Sequence, residues 1–377
     1  MVRKEKRRGG WLLGLCLAAS LYGLGLIWSA TRYDTELHSL PMKQLIALGV
    51  GVVFCLVLRW LPLRGLLERG WWLLAIGNVT LLLLLIPLGN EDGTGNKSWL
   101  ALPGGIFNLQ PGEVVKVVFL FLLALQLKKL GEKGLNRPKA ILLLGGHVLG
   151  LCGLVWVVSG DLGMVTVYLC IYFVMLWSAG VHPLWLLGEL AAGVGAVVLL
   201  WPHLPEYVRM RFLVVLDHDL DPLGKGFQQE RSLLAIGSGQ VTGQGYLQGT
   251  QTQSQAASAL PARHTDFIFS VAGEELGLVG CGVVLILLFA IVAGCMILAR
   301  RQEDKLLAYT AMGVAGMLGA QTILNVGMCL YAAPVIGVTL PFFSYGGSSI
   351  LASFGAMGLL LSLAGDRMGG RGRNPRA

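Results

Sequence analysis

Residues 306–365 run for 60 positions without one Asp, Glu, Lys or Arg, and residues 276–299 do the same for 24. A helix needs about 20 mostly apolar residues to cross a bilayer, so the first run is long enough for two crossings and the second for one. Inside the longer run, "AAPVIGVTLP" (332–341) supplies a break, because proline cannot continue a helix. Read the same way, the chain offers ten spans, at about 11–31, 43–60, 71–89, 112–129, 139–158, 162–180, 183–201, 272–299, 306–331 and 344–365. The fourth carries Glu113 and Lys116, and only "AGVHP" (179–183) parts the sixth from the seventh. The first follows basic residues, as a signal peptide would, but has no small-residue cleavage site and reads as a retained helix. Composition agrees: 55% of residues are hydrophobic, 13% are charged and the mean hydropathy is +0.68. The expected fold is an all-α integral membrane protein of about ten transmembrane helices, one polytopic domain over 1–377.

Lys and Arg set the orientation. With the N-terminus inside, segments 1–10, 59–70, 128–139, 300–305 and 366–377 hold 20 of the 29 basic residues. The positive-inside rule then places both termini in the cytoplasm. The net charge of +8 is this topological signal rather than a nucleic-acid patch, because the basic residues are scattered over short loops. All seven cysteines fall within spans and read as small core hydrophobes. Residues 202–268 form a long extracytoplasmic loop between spans seven and eight. Its middle (237–258) is rich in Gly, Gln and Ser and buries little apolar surface alone. Loops of this length are functional or disordered.

The ionisable groups near the membrane then sort by side. Lys97 lies in the external loop 95–105, and Glu113 and Lys116 lie at the external end of span four, three residues apart on one helix face. Asp161 sits in the external turn between spans five and six, and Asp266 at the external start of span eight. Charge at helix depth is costly and faces a cavity or a partner. Convergence of both signs on one surface suggests a polar cavity opening outward. Simpler readings accompany each: an ion pair for Glu113 and Lys116, a helix cap for Asp161, a structural role for Glu274 and Glu275. Asp217, Asp219 and Asp221 read as a solvated acidic loop, His264 as a loop residue, and His147 and His182 as structural.

The motifs "GNKSWL" (95–100), "QPGEVVK" (110–116), "DLG" (161–163), "LPARHTDFIFSVAGEELG" (260–277), "NVGM" (325–328) and "PVIGVTLPFFSYGGSS" (334–349) are similar to those of the SEDS family. These are ten-span glycosyltransferases that polymerise peptidoglycan. The likeness is strongest to the RodA branch, with FtsW and SpoVE close. The chain departs from the usual pattern at Ser159, Gly160, Ala262 and Lys97.

The resemblance implies a multi-pass protein of the bacterial inner membrane with an outward-facing site. Its substrates would be lipid II and a glycan on undecaprenyl pyrophosphate, and its partner a class B penicillin-binding transpeptidase. The acceptor hydroxyl attacks the donor's anomeric carbon with inversion, and pyrophosphate leaves. A glycosidase pairs two carboxylates because its leaving alkoxide needs a proton. Pyrophosphate is already a stable anion, so one base suffices. Asp266 is the expected base. Lys97, Lys116 and Arg263 are expected at the pyrophosphate, with or without a divalent cation (Mg or Mn). Glu113, Asp161, Ser344 and Tyr345 are expected to line the substrate site. Two alternatives stay open: a lipid II flippase, and a non-catalytic scaffold for the transpeptidase.

Overall fold

The computed structural model describes the chain except residues 1–9, 33, 91–96, 102–107, 222–223, 225, 257–258, 301 and 371–377, and the side chains of 366–370. The basic tails, Lys225, Arg301 and most of the loop 95–105 therefore lie outside the described residues.

Every expected span is helical. α1 (Gly10–Thr31), α2 (Leu40–Trp60), the short α3 (Leu63–Arg69), α4 (Trp71–Leu83) and α5 (Leu85–Leu88) lead to a small antiparallel sheet. Its strands are β1 (Gly89–Asn90), β2 (Trp99–Ala101) and β3 (Asn108–Leu109), and Leu100 pairs with both Gly89 and Leu109. α6 (Pro111–Gly131), α7 (Pro138–Ser159), α8 (Leu162–Ser178) and α9 (Pro183–Leu200) follow. α10 (Glu206–Leu216) and α11 (Phe227–Ser238) precede α12 (Ile268–Arg300), α13 (Lys305–Cys329) and α14 (Gly347–Gly370). Among the described residues, eight helical stretches are long and apolar enough to cross a membrane. α8 is apolar but shorter, at 17 residues, and α6 has the length with Glu113, Lys116, Lys128 and Lys129 along it.

α14 packs closely on α2, and a Cβ at Gly358 would come within 2.9 Å of the Cys55 Cα, so only glycine permits this approach. α13 is central, touching α6, α8, α12 and α14, whereas α9 buries none of its residues. At one end of the bundle Arg64 pairs with Asp304 at 2.6 Å, and Lys128 with Glu68 at 2.9 Å. Three segments expected in the cytoplasm thus meet at that end.

The segment 202–268 is more structured than its composition suggests. Its described residues include the helices α10 and α11, and its Gly-rich part is bonded to α12. That helix breaks at Gly277, whose φ of 65° and ψ of −160° suit glycine alone. A side chain there would overlap Gly243 N and Val241 O. The break frees backbone groups, and the loop takes them up: Leu278 and Val279 donate to Gln240 O (2.9 Å) and Val241 O (3.2 Å), and Gln244 and Gly245 donate to Glu274 O (2.9 Å) and Glu275 O (3.0 Å). The fully buried Glu274 accepts from Gln251 N (2.6 Å), Thr252 N (2.8 Å), Thr252 Oγ1 (2.6 Å) and Thr250 Oγ1 (3.0 Å). Glu275 accepts from Ser29 Oγ and Gln253 Nε2, both at 2.6 Å, and from Leu247 N at 3.2 Å. The two glutamates hold the loop on the kink. Their structural reading stands, and the loop's order comes from buried carboxylates rather than from apolar burial.

Candidate active site

Asp266 closes a tight turn just before α12. Ala262 takes the left-handed region at φ 47°, and its carbonyl accepts from Thr265 N (3.1 Å) and Phe267 N (3.2 Å). Against this turn lies the irregular segment between α13 and α14. Ser344 Oγ donates to Thr265 O (2.7 Å) and accepts from Leu340 N (2.8 Å), and Tyr345 N donates to His264 O (2.9 Å). Gly337 lies beside the carboxyl: a Cβ there would stand 4.0 Å from Asp266 Oδ2. The neighbouring carbonyl of Ile336 sits against Gly163, next to Asp161. So Asp161 and Asp266, distant in sequence, face the same stretch, 336–338.

Asp161 caps α8, accepting from Met164 N at 2.9 Å, and also accepts from Gln110 Nε2 at 3.1 Å. The helix-cap reading is therefore correct, and the same side chain also joins the acidic group. Desolvation pushes the Asp161 carboxyl up to about 6, with Glu113's charge adding to the rise. Asp266 is likewise raised to about 6, first by desolvation and then by Asp161. At neutral pH most of Asp266 is still carboxylate, with a basicity suited to general-base work.

Glu113 and Lys116 form a 2.7 Å ion pair with side chains only 2% and 1% exposed. Gly112, just before Glu113, accepts from Tyr168 OH of α8 at 2.8 Å. This binds the first turn of α6 to the helix that Asp161 caps.

The other expected residues are placed differently. Arg263 donates to Ala30 O (2.9 Å), Ser254 O (2.7 Å) and Gln251 O (3.4 Å), so its guanidinium serves as a clamp between α1 and the loop. Lys97 is exposed, beside Gly89 on the small sheet. Ser344 is 4% exposed and engaged with backbone. No group of three or more His, Cys, Asp or Glu side chains able to cage a metal occurs among the described residues, Asp217, Asp219 and Asp221 included.

Residues 11–368 match the model of the "cell cycle protein" family that groups FtsW, RodA and SpoVE. The chain belongs to this family. Among its relatives, a probable peptidoglycan glycosyltransferase FtsW of Trichlorobacter lovleyi is 31% identical over 94% of this chain and 92% of its own. Peptidoglycan glycosyltransferase MrdB of Escherichia coli K12 is also 31% identical, over 93% and 92%. Among solved structures, a chain of a peptidoglycan synthase complex, described for the coordination of polymerization and crosslinking, superposes with TM-score 0.78 at 32% identity, covering 94% of this chain and 97% of that one. The rod shape determining protein RodA of Thermus thermophilus gives 0.69 at 29% identity, over 95% and 96%.

In this FtsW/RodA/SpoVE member the site is also held by residues to which the motifs assigned no individual role. Asn325 of α13 is fully buried, and its amide nitrogen donates to Asp266 O and Val338 O, both at 2.7 Å. One side chain thus ties the Asp266 turn to the segment that carries Gly337. Gln44 of α2 does the same for the far end, donating to Ser344 O (3.2 Å) and accepting from Gly346 N (3.1 Å). Ser348 Oγ accepts from Gln110 N (2.9 Å) and donates to Asn108 O (3.0 Å), which fixes β3 and the start of α6 to α14. A buried amide in a charge-free apolar run was the available signal, since such groups persist only when bonded.

Proposed function

We propose that the chain is a peptidoglycan glycosyltransferase that polymerises lipid II from the outer face of the bacterial inner membrane. The observation that carries the reading is Asp266, a carboxyl raised to about 6, set beside Asp161 at the end of the bundle opposite the Arg64–Asp304 and Lys128–Glu68 pairs. The acceptor sugar's hydroxyl gives its proton to Asp266 as its oxygen bonds to the donor's anomeric carbon. The bond from that carbon to the pyrophosphate oxygen breaks, and undecaprenyl pyrophosphate departs with the electron pair. Inversion follows from attack opposite the leaving group. Lys116, held by Glu113, supplies positive charge near the site. A divalent cation would supply further positive charge if one binds, and Asp161 and Asp266 would be the carboxylates to hold it, since Mg²⁺ uses one or two carboxylates together with substrate phosphates.

The similarity to a synthase complex supports a class B penicillin-binding transpeptidase as partner, and the basic residues expected inside support cytoplasmic termini. The test is polymerisation of lipid II by the purified protein, alone and with its transpeptidase, compared with Asp266→Asn. Polymer made by wild type and lost in the variant, with the transpeptidase still captured, supports the enzyme. Lipid II crossing liposomes without any polymer would point to the flippase. Normal polymer from the variant would remove Asp266 from the chemistry.

A further inference from the structure

α11 belongs to the segment 202–268, yet its inward face is spent on the turn that carries Asp266. Gln229, Ser232 and Ala235 recur at helical spacing and are fully buried, and the helix packs on α12 and α13. The seating is close: a Cβ at Gly273 of α12 would stand 2.9 Å from the Ile236 side chain. The reaction above gives this face no task.

Its two polar side chains reach out of their own helix. Several buried hydroxyls in this chain bond one turn back instead: Ser20 to Cys16 O, Ser159 to Val155 O and Thr310 to Leu306 O, each at 2.8 Å. Ser232 Oγ donates to Cys329 O at 2.7 Å and lies 2.6 Å from Ser270 Oγ. A carbonyl can only accept, so the single Ser232 proton goes to Cys329 and Ser270 donates to Ser232. Gln229 Nε2 donates to Met328 O (3.1 Å) and Ala333 O (2.7 Å). Met328 and Cys329 end α13, where the last carbonyls have no further turn of helix to donate to them.

Both ends of the Ser270–Ser232–Cys329 chain lead to Asp266. Ser270 lies in the first turn of α12, and its amide donates to Phe267 O, next to Asp266, at 3.0 Å. Cys329 Sγ lies 3.7 Å from Asp266 O, the carbonyl that Asn325 also holds. Ala333 begins the stretch that runs to 336–338, which Asp161 and Asp266 face. One hydroxyl therefore joins the start of α12 to the end of α13, and Asp266 stands at that junction.

We infer that Ser232 is a positioning residue for Asp266, with Gln229 fixing the segment that faces the carboxyl. The inference rests on the polymerase reading and extends it to a helix outside the site. Without the Ser232 hydroxyl, Cys329 O and the Ser270 hydroxyl lose their shared partner in a buried place, and the two helix ends part.

The test uses the full-length protein in lipid nanodiscs with its transpeptidase. Ser232→Ala, Ser270→Ala and the double variant are compared with Ser362→Ala. Ser362 is also a buried serine joining two elements, but at the opposite end of the bundle, where it donates to Leu61 O at 2.7 Å. Rates are taken per folded molecule. Ser232→Ala should lower kcat about tenfold with KM for lipid II unchanged, because small misplacement of a reacting group is costly. It should also move the pH midpoint of the rate. Ser362→Ala should do neither. The double variant should be no slower than Ser232→Ala, because the two hydroxyls act as one chain. A wild-type kcat or an unmoved midpoint in Ser232→Ala would overturn the inference, as would losses that simply add in the double variant. A further arm needs no polymer. Asp266→Asn should change the Tm at pH 8 by different amounts in the wild-type and Ser232→Ala backgrounds, since the hydroxyl sets the carboxyl's surroundings. Equal changes would overturn the inference. A wild type that makes no polymer, with that coupling in Tm present, would instead sink the polymerase reading and leave the positioning of Asp266 standing.

Discussion

At the scale of single residues, the site is a set of carboxyls whose ionisation the fold makes costly. Asp266, raised to about 6, must be ionised to act as a base, so the polymerisation rate should fall as pH drops through about 6. A rate that stays level from pH 8 to pH 5 would contradict this. Asp266→Asn should lower the rate by about 10²–10⁴-fold, the usual worth of a placed base. The same substitution has a predictable sign in stability. A carboxyl whose folded pKa is raised from 3.8 to about 6 weakens the fold once ionised, and the cost grows between about pH 4 and pH 6. Asp266→Asn should therefore raise the Tm at pH 8 and leave it unchanged near pH 4. The pair Glu113–Lys116 needs a different control. Lys116→Met alone strands a buried carboxylate, and breaking such a pair costs about 3–5 kcal/mol. Glu113→Gln with Lys116→Met removes both charges and should restore the Tm without restoring polymer. Full activity in the double variant would show that Lys116 has no chemical role.

At the scale of elements, two devices place the turn. Asn325 lies about one turn before the end of α13 and links Asp266 O to Val338 O. Asn325→Leu keeps the volume and loses both donors, so kcat should fall about 10–100-fold, since small misplacement of a reacting group is costly. The pH midpoint should also move, because the carboxyl shifts relative to Asp161. A rate loss with the midpoint unmoved would make Asn325 a purely structural residue. The second device is the kink at Gly277. Gly277→Ala should clash with Val241 and Gly243 and release the loop 237–253 from α12. Limited proteolysis should then cut this loop much faster than in wild type. A loop equally resistant in both proteins would show that the kink does not hold it.

At the scale of the whole molecule, the bundle has two chemically distinct ends. One gathers basic residues with Glu68 and Asp304, and the other gathers Asp161, Asp266 and the Glu113–Lys116 pair. A reporter active only outside the cytoplasm should work near Gly245 and fail when fused after Ala377. The opposite pattern would place Asp266 in the cytoplasm and end the case for an outward-facing polymerase.

Much of this was legible in the sequence, for a physical reason. A bilayer demands about 20 apolar residues in a row, which is a local property, so the apolar helices could be read off one after another, eight of them long and apolar enough to cross a membrane among the described residues. Asp161, Asp266, Glu113 and Lys116 stood out because charge is rare in such a chain. What the residues then do was decided by contacts between distant parts of the chain. Arg263 stood out as a candidate for pyrophosphate, but the structure engages it with three carbonyls. The segment 237–258 read as burying little apolar surface alone, yet Glu274 and Glu275, buried on a broken helix, give its described part backbone and side-chain partners. Asn325 belonged to a motif but had no evident task until the fold placed two carbonyls at its amide. Hydrogen bonds of this kind depend on distance and angle, and a one-dimensional pattern carries neither.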